Sequence, residues 1–597
     1  MDRRNFVKSA MYFTVASAST TLIACGGGSG GITASGPSGS FRFTHGVASG
    51  DPKASSVVFW TRCVRSDASD TSDFNLRLEI SPTADFAALV ATVNVTASAT
   101  YDNTVRAKVT NLAANTRYFY RFVAGSDISA VGQTKTAPAA NTTPDEVRFA
   151  WFTCQDWSVN HWGALELMAL ENVDFLVHLG DYVYETVGAS FQSAAAEPAH
   201  TRITLPDGLA KPGGGVYANT VADYRTLYRT YRSDPRLQEL HRKWPIISIW
   251  DDHEFSDDCW QDHQTYTNEN KQETSRRRSA NQAWAEYMPV DFGDVSFDLN
   301  KAGYENIRIY RDFQFGSLVH LVMTDERLYR DDHMVSEATY AKLLGHDPVN
   351  GDDSIGSRYF VPRQTLLAFE AQNKEALQRT PSMLGVTQTD WWKTTMKNSP
   401  ATWKVWGNEV TLTRMWLDLR QSAPPPYNQL FVVNADAWDG FSGHRADLMG
   451  YIKNQGVKNL VAVTGDLHAF QCGVIRDTPE ATGTPVAVDF VAAGISSSSS
   501  YSYFKAGAGT TPLAALVATP ATWNGLLRLN NPDFAYIDQD AQGYAVASVT
   551  AQAFTVWFSK VKPLNADGSK PASPLLKRTK MTLAVNTTTP VVEDNVA

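Results

Sequence analysis

The stretch DFLVHLGDYVYE, Asp174–Glu185, is an apolar run that stops at a glycine and an acid. A strand covered on one face alternates apolar and polar residues. A strand that is apolar at nearly every position is covered on both faces, as in a layered α/β domain. Five further stretches read the same way. Val147–Thr153 runs into Cys154-Gln155-Asp156, Pro245–Trp250 into Asp251-Asp252-His253-Glu254, and Ser317–Thr324 into Asp325-Glu326-Arg327. Thr402–Trp406 runs into Gly407-Asn408-Glu409, and Asn459–Thr464 into Gly465-Asp466-Leu467-His468. In open α/β sheets, sites form beyond the carboxyl ends of the strands. A lone Asp there is ordinarily a turn or helix cap, and a lone Cys a small buried hydrophobe. Six coincident strand ends bearing Asp, His, Cys or Asn instead predict one ligand-rich cleft. His178 and His320 lie inside their apolar strands and read as packed core histidines.

Around these strands, Trp162–Leu170, Val221–Tyr231 and Ser275–Met288 read as helices, and Tyr544–Val585 returns to strand-like alternation. Residues 145–590 are therefore expected to form a layered α/β domain, a β-sandwich core flanked by helices. Residues 41–140 differ in texture: short alternating strands at Ser56–Thr61, Asn75–Ile80, Thr104–Thr110 and Arg117–Ala124, with no helical period. They predict a small immunoglobulin- or fibronectin-III-like β-sandwich, with Ala137–Pro144 as its boundary.

Residues 1–25 read as a targeting segment. Asp2-Arg3-Arg4-Asn5-Phe6-Val7-Lys8 is a twin-arginine pattern, and the apolar run Met11–Ala24 ends in a lipobox-like Leu22-Ile23-Ala24-Cys25. This predicts export by the twin-arginine route to the periplasm or cell surface, with lipidation at Cys25 or else an ordinary cleaved signal and an incidental cysteine, and residues 26–40 as a Gly/Ser tether. That route carries folded proteins, which suits an enzyme that acquires a metal or redox cofactor before crossing. The formal charge of −9 supplies no concentrated basic surface, so nucleic acid is not an expected partner. Cys63, Cys154, Cys259 and Cys472 lack CxxC spacing. They indicate neither a zinc ribbon nor a dense disulfide framework, and leave room for one disulfide.

GDYVYE at Gly180–Glu185, WDDHE at Trp250–Glu254 and GDLH at Gly465–His468 together resemble the alkaline phosphatase D (PhoD-like) family, related to the purple acid phosphatases. HGVASGDP at His45–Pro52, FWTR at Phe59–Arg62, YRSDPRLQELH at Tyr231–His241, MLGVTQ at Met383–Gln388 and DAWDG at Asp436–Gly440 extend the resemblance along the chain. It implies a centre of Fe(III) and Ca(II). Cys154, Asp181, Tyr184 and His468 would bind iron, Asp181 would bridge, and Asp252 and Asp466 would hold the second metal. Asp251, Asn408, Asp257 and Asp258 are further candidates for metal or phosphate. Thiolate and phenolate are donors that favour ferric iron, while carboxylates and water suit calcium. His253 would hydrogen-bond the phosphoryl or leaving-group oxygen, or else orient Asp252. Arg327 would clamp phosphate in bidentate fashion, or else form a surface salt bridge.

The expected activity is hydrolysis of phosphate mono- or diesters by metal-activated hydroxide, in a monomer. The alternatives are a phospholipase D-like phosphodiesterase acting on phospholipids and a catalytically decayed surface binding lipoprotein. The intact donor set argues against decay. A serine nucleophile in Ser496–Ser500 would lack a G-x-S-x-G elbow, and that run reads as a flexible loop. One departure stands out. The family commonly carries Asn-Asn three residues after DDHE, where this chain has Asp257-Asp258, predicting a more anionic site.

Overall fold

Two facing sheets carry the six strands, three in each. The computed structural model describes residues 13–17, 41–344, 358–508 and 512–596. Cys25 and the tether at 26–40 lie outside the described residues, while Phe13–Ser17 pairs in parallel with Thr104–Thr110. In the first sheet Val147–Phe152, Phe175–Leu179 and Ile246–Ile249 are parallel neighbours. The antiparallel strands Gly543–Val549, Ala553–Val561 and Leu575–Ala584 continue it. In the second sheet Val319–Met323, Trp403–Asn408, Leu460–Thr464 and Pro485–Val491 are parallel.

The unbroken apolar runs have a direct cause. Along the second sheet, Leu321, Val405, Val461 and Val488 face the core shared by the two sheets. Their neighbours Val322, Trp406, Ala462 and Ala487 face a separate core built with Trp392, Met396, Leu448 and Ile452. Those last four come from the helices Gly385–Asn398 and Ser442–Asn454. Between the sheets Phe175 stacks on Phe315 at 4.0 Å, and Trp403 tilts against Phe554 at 5.6 Å. The helix Val221–Tyr231 starts at a capping box formed by Thr220 and Asp223, and buries Tyr224, Leu227, Tyr228 and Tyr231 on one face. Pro235–Lys243 follows, capped by Asp234 with Pro at its start.

The N-terminal sandwich packs Phe41–Gly50, Ser56–Arg65 and Thr104–Thr110 against Phe74–Ser81, Ala91–Ala97 and Arg117–Ala124, around Phe59, Leu78, Ile80 and Phe122. It does not stand apart. Gly50 pairs in parallel with Ile246, so one eleven-stranded sheet runs through both layers. A side chain at Gly50 would meet the Pro289 carbonyl oxygen at 2.3 Å, which is why glycine sits at this junction. Next to it Asp51 accepts from Arg311 at 2.7 and 3.1 Å and from the Asp291 N–H at 2.8 Å, all out of reach of water. The Arg232 guanidinium lies 3.8 Å over the Trp60 ring, whose Nε1 donates to the Glu286 carbonyl. The stretch Ala137–Pro144 is docked as well: Gly316 and Ser317 donate to the Pro138 and Thr142 carbonyls.

His178 lies in the core, edge-on to Phe152 at 4.6 Å, and its Nδ1 accepts from the Gly180 N–H at 3.2 Å. His320 is buried too, but its Nε2 reaches Asp312 at 2.8 Å at the sheet edge. Burial pushes His178 down to about 3 from 6.5.

Two outcomes follow from these contacts. Asp51→Ala strands the Arg311 guanidinium without a carboxylate, and the expected loss is about 3–5 kcal/mol in urea unfolding. An unchanged midpoint would show that the clasp contributes nothing. For His178, the neutral ring is common to folded and unfolded chains above pH 6.5, so it has no effect there. As pH falls from 6.5 toward about 3, the unfolded chain takes up a proton the folded one refuses, and stability drops. The slope contributed is at most ~1.4 kcal/mol per pH unit, so roughly 2 kcal/mol between pH 7 and pH 5. His178→Gln should remove that increment; an equal pH dependence in both proteins would contradict it.

Candidate metal centre

The strand ends are bent into unusual backbone. Cys154, Asp181, Asp466 and His468 have φ of 54°, 56°, 58° and 55°, the left-handed region that costs non-glycine residues on the order of 1–3 kcal/mol each. Gly180 precedes Asp181 at φ 98°, and a Cβ there would lie 2.3 Å from the Asp251 Cβ. The turns thus aim their side chains back over the strand ends instead of letting the chain run straight on.

Three groups of donor atoms result, each within 4.8 Å of one another: Cys154, Asp181 and His468; Asp181, Asp252 and His253; and Asp252, Asp257 and Asp258. Asp181 belongs to the first two and Asp252 to the last two. The Tyr184 hydroxyl joins the first group, donating to Asp181 Oδ2 at 3.0 Å and lying 3.4 Å from His468 Nε2. His468 Nδ1 is 2.8 Å from the Ser498 carbonyl, which leaves Nε2 for the cleft.

Residues behind these donors set their positions. Glu254 is fully buried and accepts from the N–H groups of Asp181 and Asp251 at 2.9 Å and of Tyr182 at 2.7 Å. One carboxylate thereby binds the GDY turn to the end of the neighbouring strand. Glu185 accepts from His253 Nδ1 at 2.6 Å. Ser497 lies 2.6 Å from the Tyr184 hydroxyl and donates to the Cys154 carbonyl. Glu254 and Glu185 stand inside the quoted motifs, yet sequence reading assigned them no role. Their signal is an acid placed directly beside candidate donors.

Four expectations need correction. Arg327 is wholly buried, not a surface salt bridge, and two of its three guanidinium nitrogens are committed to carboxylates, leaving Nη2 without a hydrogen-bond partner among the described residues. It donates to Asp251 Oδ1 at 2.5 Å and Asp436 Oδ2 at 2.8 Å, with Asp466 at 3.6 Å, because burying so many acids demands a cation among them. Asn408 is turned away from the cleft: its amide donates to Val410 and Thr464, and its oxygen accepts from Trp438 Nε1 at 2.9 Å. The serine run is no flexible loop, since Ser496, Ser497, Ser499 and Ser500 are buried. The Asp257-Asp258 pair adds less charge than its count suggests. Arg358 reaches Asp258 at 2.5 Å, and Asp257 lies 3.8 Å from His253 Nε2. Cys63, Cys154, Cys259 and Cys472 are all free thiols.

The chemistry of this donor set can be tested against a cation. Burial pushes the Asp181 carboxyl well above its usual range, and Asp252 pushes it further. The Cys154 thiol and Tyr184 phenol are raised by burial and then by Asp181; Asp466 is raised by burial and then by Asp251. These acids repel one another in a largely buried space, open to solvent at Asp466 and His468, and a bound cation is what would let them ionise together. His468 is pushed down to about 4 by burial, with His253 adding to it, so its imidazole is the neutral form that coordinates metals. Burial would lower His253 too, but Asp252, Glu185 and Asp181 hold it well above the usual range. The residues fit cations: a sulfur, phenol, imidazole and carboxylate group shares Asp181 with Asp252 and His253, and Asp252 in turn belongs to an all-carboxylate group with Asp257 and Asp258.

Comparison with known proteins gives a consistent picture. A sequence profile of the PhoD-like phosphatases matches residues 149–558, and one of the PhoD-like phosphatase N-terminal domain matches residues 31–138. The chain is 28% identical over 508 residues to "Alkaline phosphatase D" of Bacillus subtilis (strain 168), covering 83% of this chain and 76% of that protein. A solved structure titled "Structure of PhoD" superposes with a TM-score of 0.71 at 22% identity, covering 95% of this chain and 94% of that one.

Proposed function

Because this chain belongs to the PhoD-like phosphatase family and is a hydrolase of phosphoric esters, we propose that it cleaves phosphate mono- or diesters at an iron–calcium centre outside the cytoplasm. The observation that carries this reading is the carboxylate of Asp181, shared between a group containing Cys154 and His468 and a group containing Asp252. Cys154, Asp181, Tyr184 and His468 would hold ferric iron, and Asp252 and Asp466 calcium, with Asp181 between them. Thiolate and phenolate support the ferric assignment, and carboxylate oxygens the calcium one. Ions bound there would lower the pKa of a coordinated water and neutralise phosphate charge.

The protein's own groups do the rest. His253 presents Nε2 on the side opposite Glu185, where it would donate to an ester oxygen. Arg327 sits behind Asp251 and Asp466, where its charge offsets part of the cost of ionising these carboxylates and holds them in place. Arg358 offsets Asp258, so a phosphate dianion would meet less repulsion than two added carboxylates imply. Export through the twin-arginine route, with a lipid anchor at Cys25, belongs to the same proposal. It rests on the Arg3-Arg4 pattern and the Leu22–Cys25 box.

Metal analysis and visible absorption of the purified protein test the centre. Iron together with calcium is expected, along with a tyrosinate charge-transfer band that Tyr184→Phe abolishes. Cys154→Ser should lower the iron content. Protein that binds no iron and releases no phosphate after reconstitution would overturn the proposal.

A further inference from the structure

We propose that Glu185 is a positioning residue for the hydrolysis, acting through His253; the inference rests on the proposed function and adds a residue to it. Glu185 is completely buried, and each of its oxygens is committed. Oε2 lies 2.6 Å from His253 Nδ1. Oε1 accepts from the Asp257 N–H at 2.9 Å and from the Tyr266 hydroxyl. The Tyr266 oxygen in turn takes a hydrogen bond from Arg276 Nη2 at 3.2 Å. Arg276 is itself held by the Ala218 and Phe255 carbonyls, both at 2.6 Å. A chain of four side chains, Arg276, Tyr266, Glu185 and His253, thus runs from the protein interior to the cleft.

Its effect on the imidazole is geometric. A carboxylate can only accept from Nδ1, so this nitrogen must carry a proton and the ring cannot flip without breaking a short bond. The ring is also packed against Tyr184 with centroids 4.1 Å apart and against Phe191 at 5.5 Å. Nε2 is left as the nitrogen that faces the donor groups and the ester. Because the same carboxylate also accepts from the Asp257 backbone, it fixes the distance between His253 and the Asp257-Asp258 turn. A glutamate that merely filled space would need neither contact.

The test uses the full-length, metal-loaded protein and nitrophenyl phosphate. Glu185→Gln keeps the shape of the side chain but loses its charge and one acceptor. It is expected to lower kcat roughly 10- to 100-fold, with little change in KM or metal content. Tyr266→Phe, which leaves Glu185 in place, should give a smaller loss in the same direction. Combining Glu185→Gln with His253→Ala should cost no more than His253→Ala alone, since both act through one ring. Nitrogen-15 spectra of labelled histidine should show the Nδ1 signal of His253 moving in Glu185→Gln. Losses that multiply in the double variant, an unmoved Nδ1 signal, or activity that falls in step with metal content would overturn the inference. A wild-type protein inactive on phosphate esters would instead overturn the proposed function, and this role with it.

Discussion

Asp181, Asp251, Asp252 and Asp466 crowd into a volume largely closed to water, and their mutual repulsion is the force the surrounding fold has to meet. Two unpaired charges at van der Waals range in a poorly polarisable interior repel by far more than any single hydrogen bond returns. The chain answers in two ways. It places guanidinium groups among the acids: Arg327 between Asp251 and Asp436, Arg330 on Asp436, and Arg358 on Asp258. It turns backbone N–H groups toward Glu254 and Asp252. For Cys154, Asp181, Tyr184 and Asp466 a repulsion remains that a bound cation would relieve. Both sheets contribute strand ends to this crowd, so the packing between them also holds the donors together.

Much of this was legible along the chain. A strand covered on both faces is apolar at successive positions, and that local pattern exposed all six strands; donors of the three groups follow four of them, while Val319–Met323 and Trp403–Asn408 lead into Arg327 and the turned-away Asn408. Tyr184 and His468 become candidates through the resemblance of GDYVYE and GDLH, and folding brings both beside Asp181. Arg327 and Asn408 were misread for one reason: their neighbours in space, Asp251, Asp436 and Trp438, come from other segments of the chain. Arg358 carries no local mark, since its partners Asp258 and Glu337 are brought to it only by folding. The helix Arg363–Leu377 escaped notice because it buries little beyond Leu366 and Glu370, leaving too thin an apolar stripe to show a period.

Motifs outside the site acquire a physical meaning. In HGVASGDP, Gly50 lets the sandwich sheet touch Ile246 and Asp51 locks onto Arg311. In FWTR, Trp60 lies under Arg232, which belongs to YRSDPRLQELH. At the end of that stretch His241 reaches the Tyr182 hydroxyl at 2.7 Å, and Gln388 of MLGVTQ accepts from the Asp325 N–H at 2.8 Å. These segments are the joints between sheet, helix and sandwich. The N-terminal layer is therefore part of the frame on which the donors rest.

The left-handed turns at Cys154, Asp181, Asp466 and His468 limit how such a centre can evolve. β-Branched side chains are strongly disfavoured in that backbone, whereas Asp, Asn and His enter it more readily than other non-glycine residues and Gly enters it freely. Asp258 shares the conformation, at φ 49°. Exchanging Asn for Asp there alters charge without disturbing the chain path, provided a compensating cation such as Arg358 is at hand. A short alphabet of interchangeable residues thus lets the lineage retune its affinity for ions by single substitutions while the scaffold stays fixed.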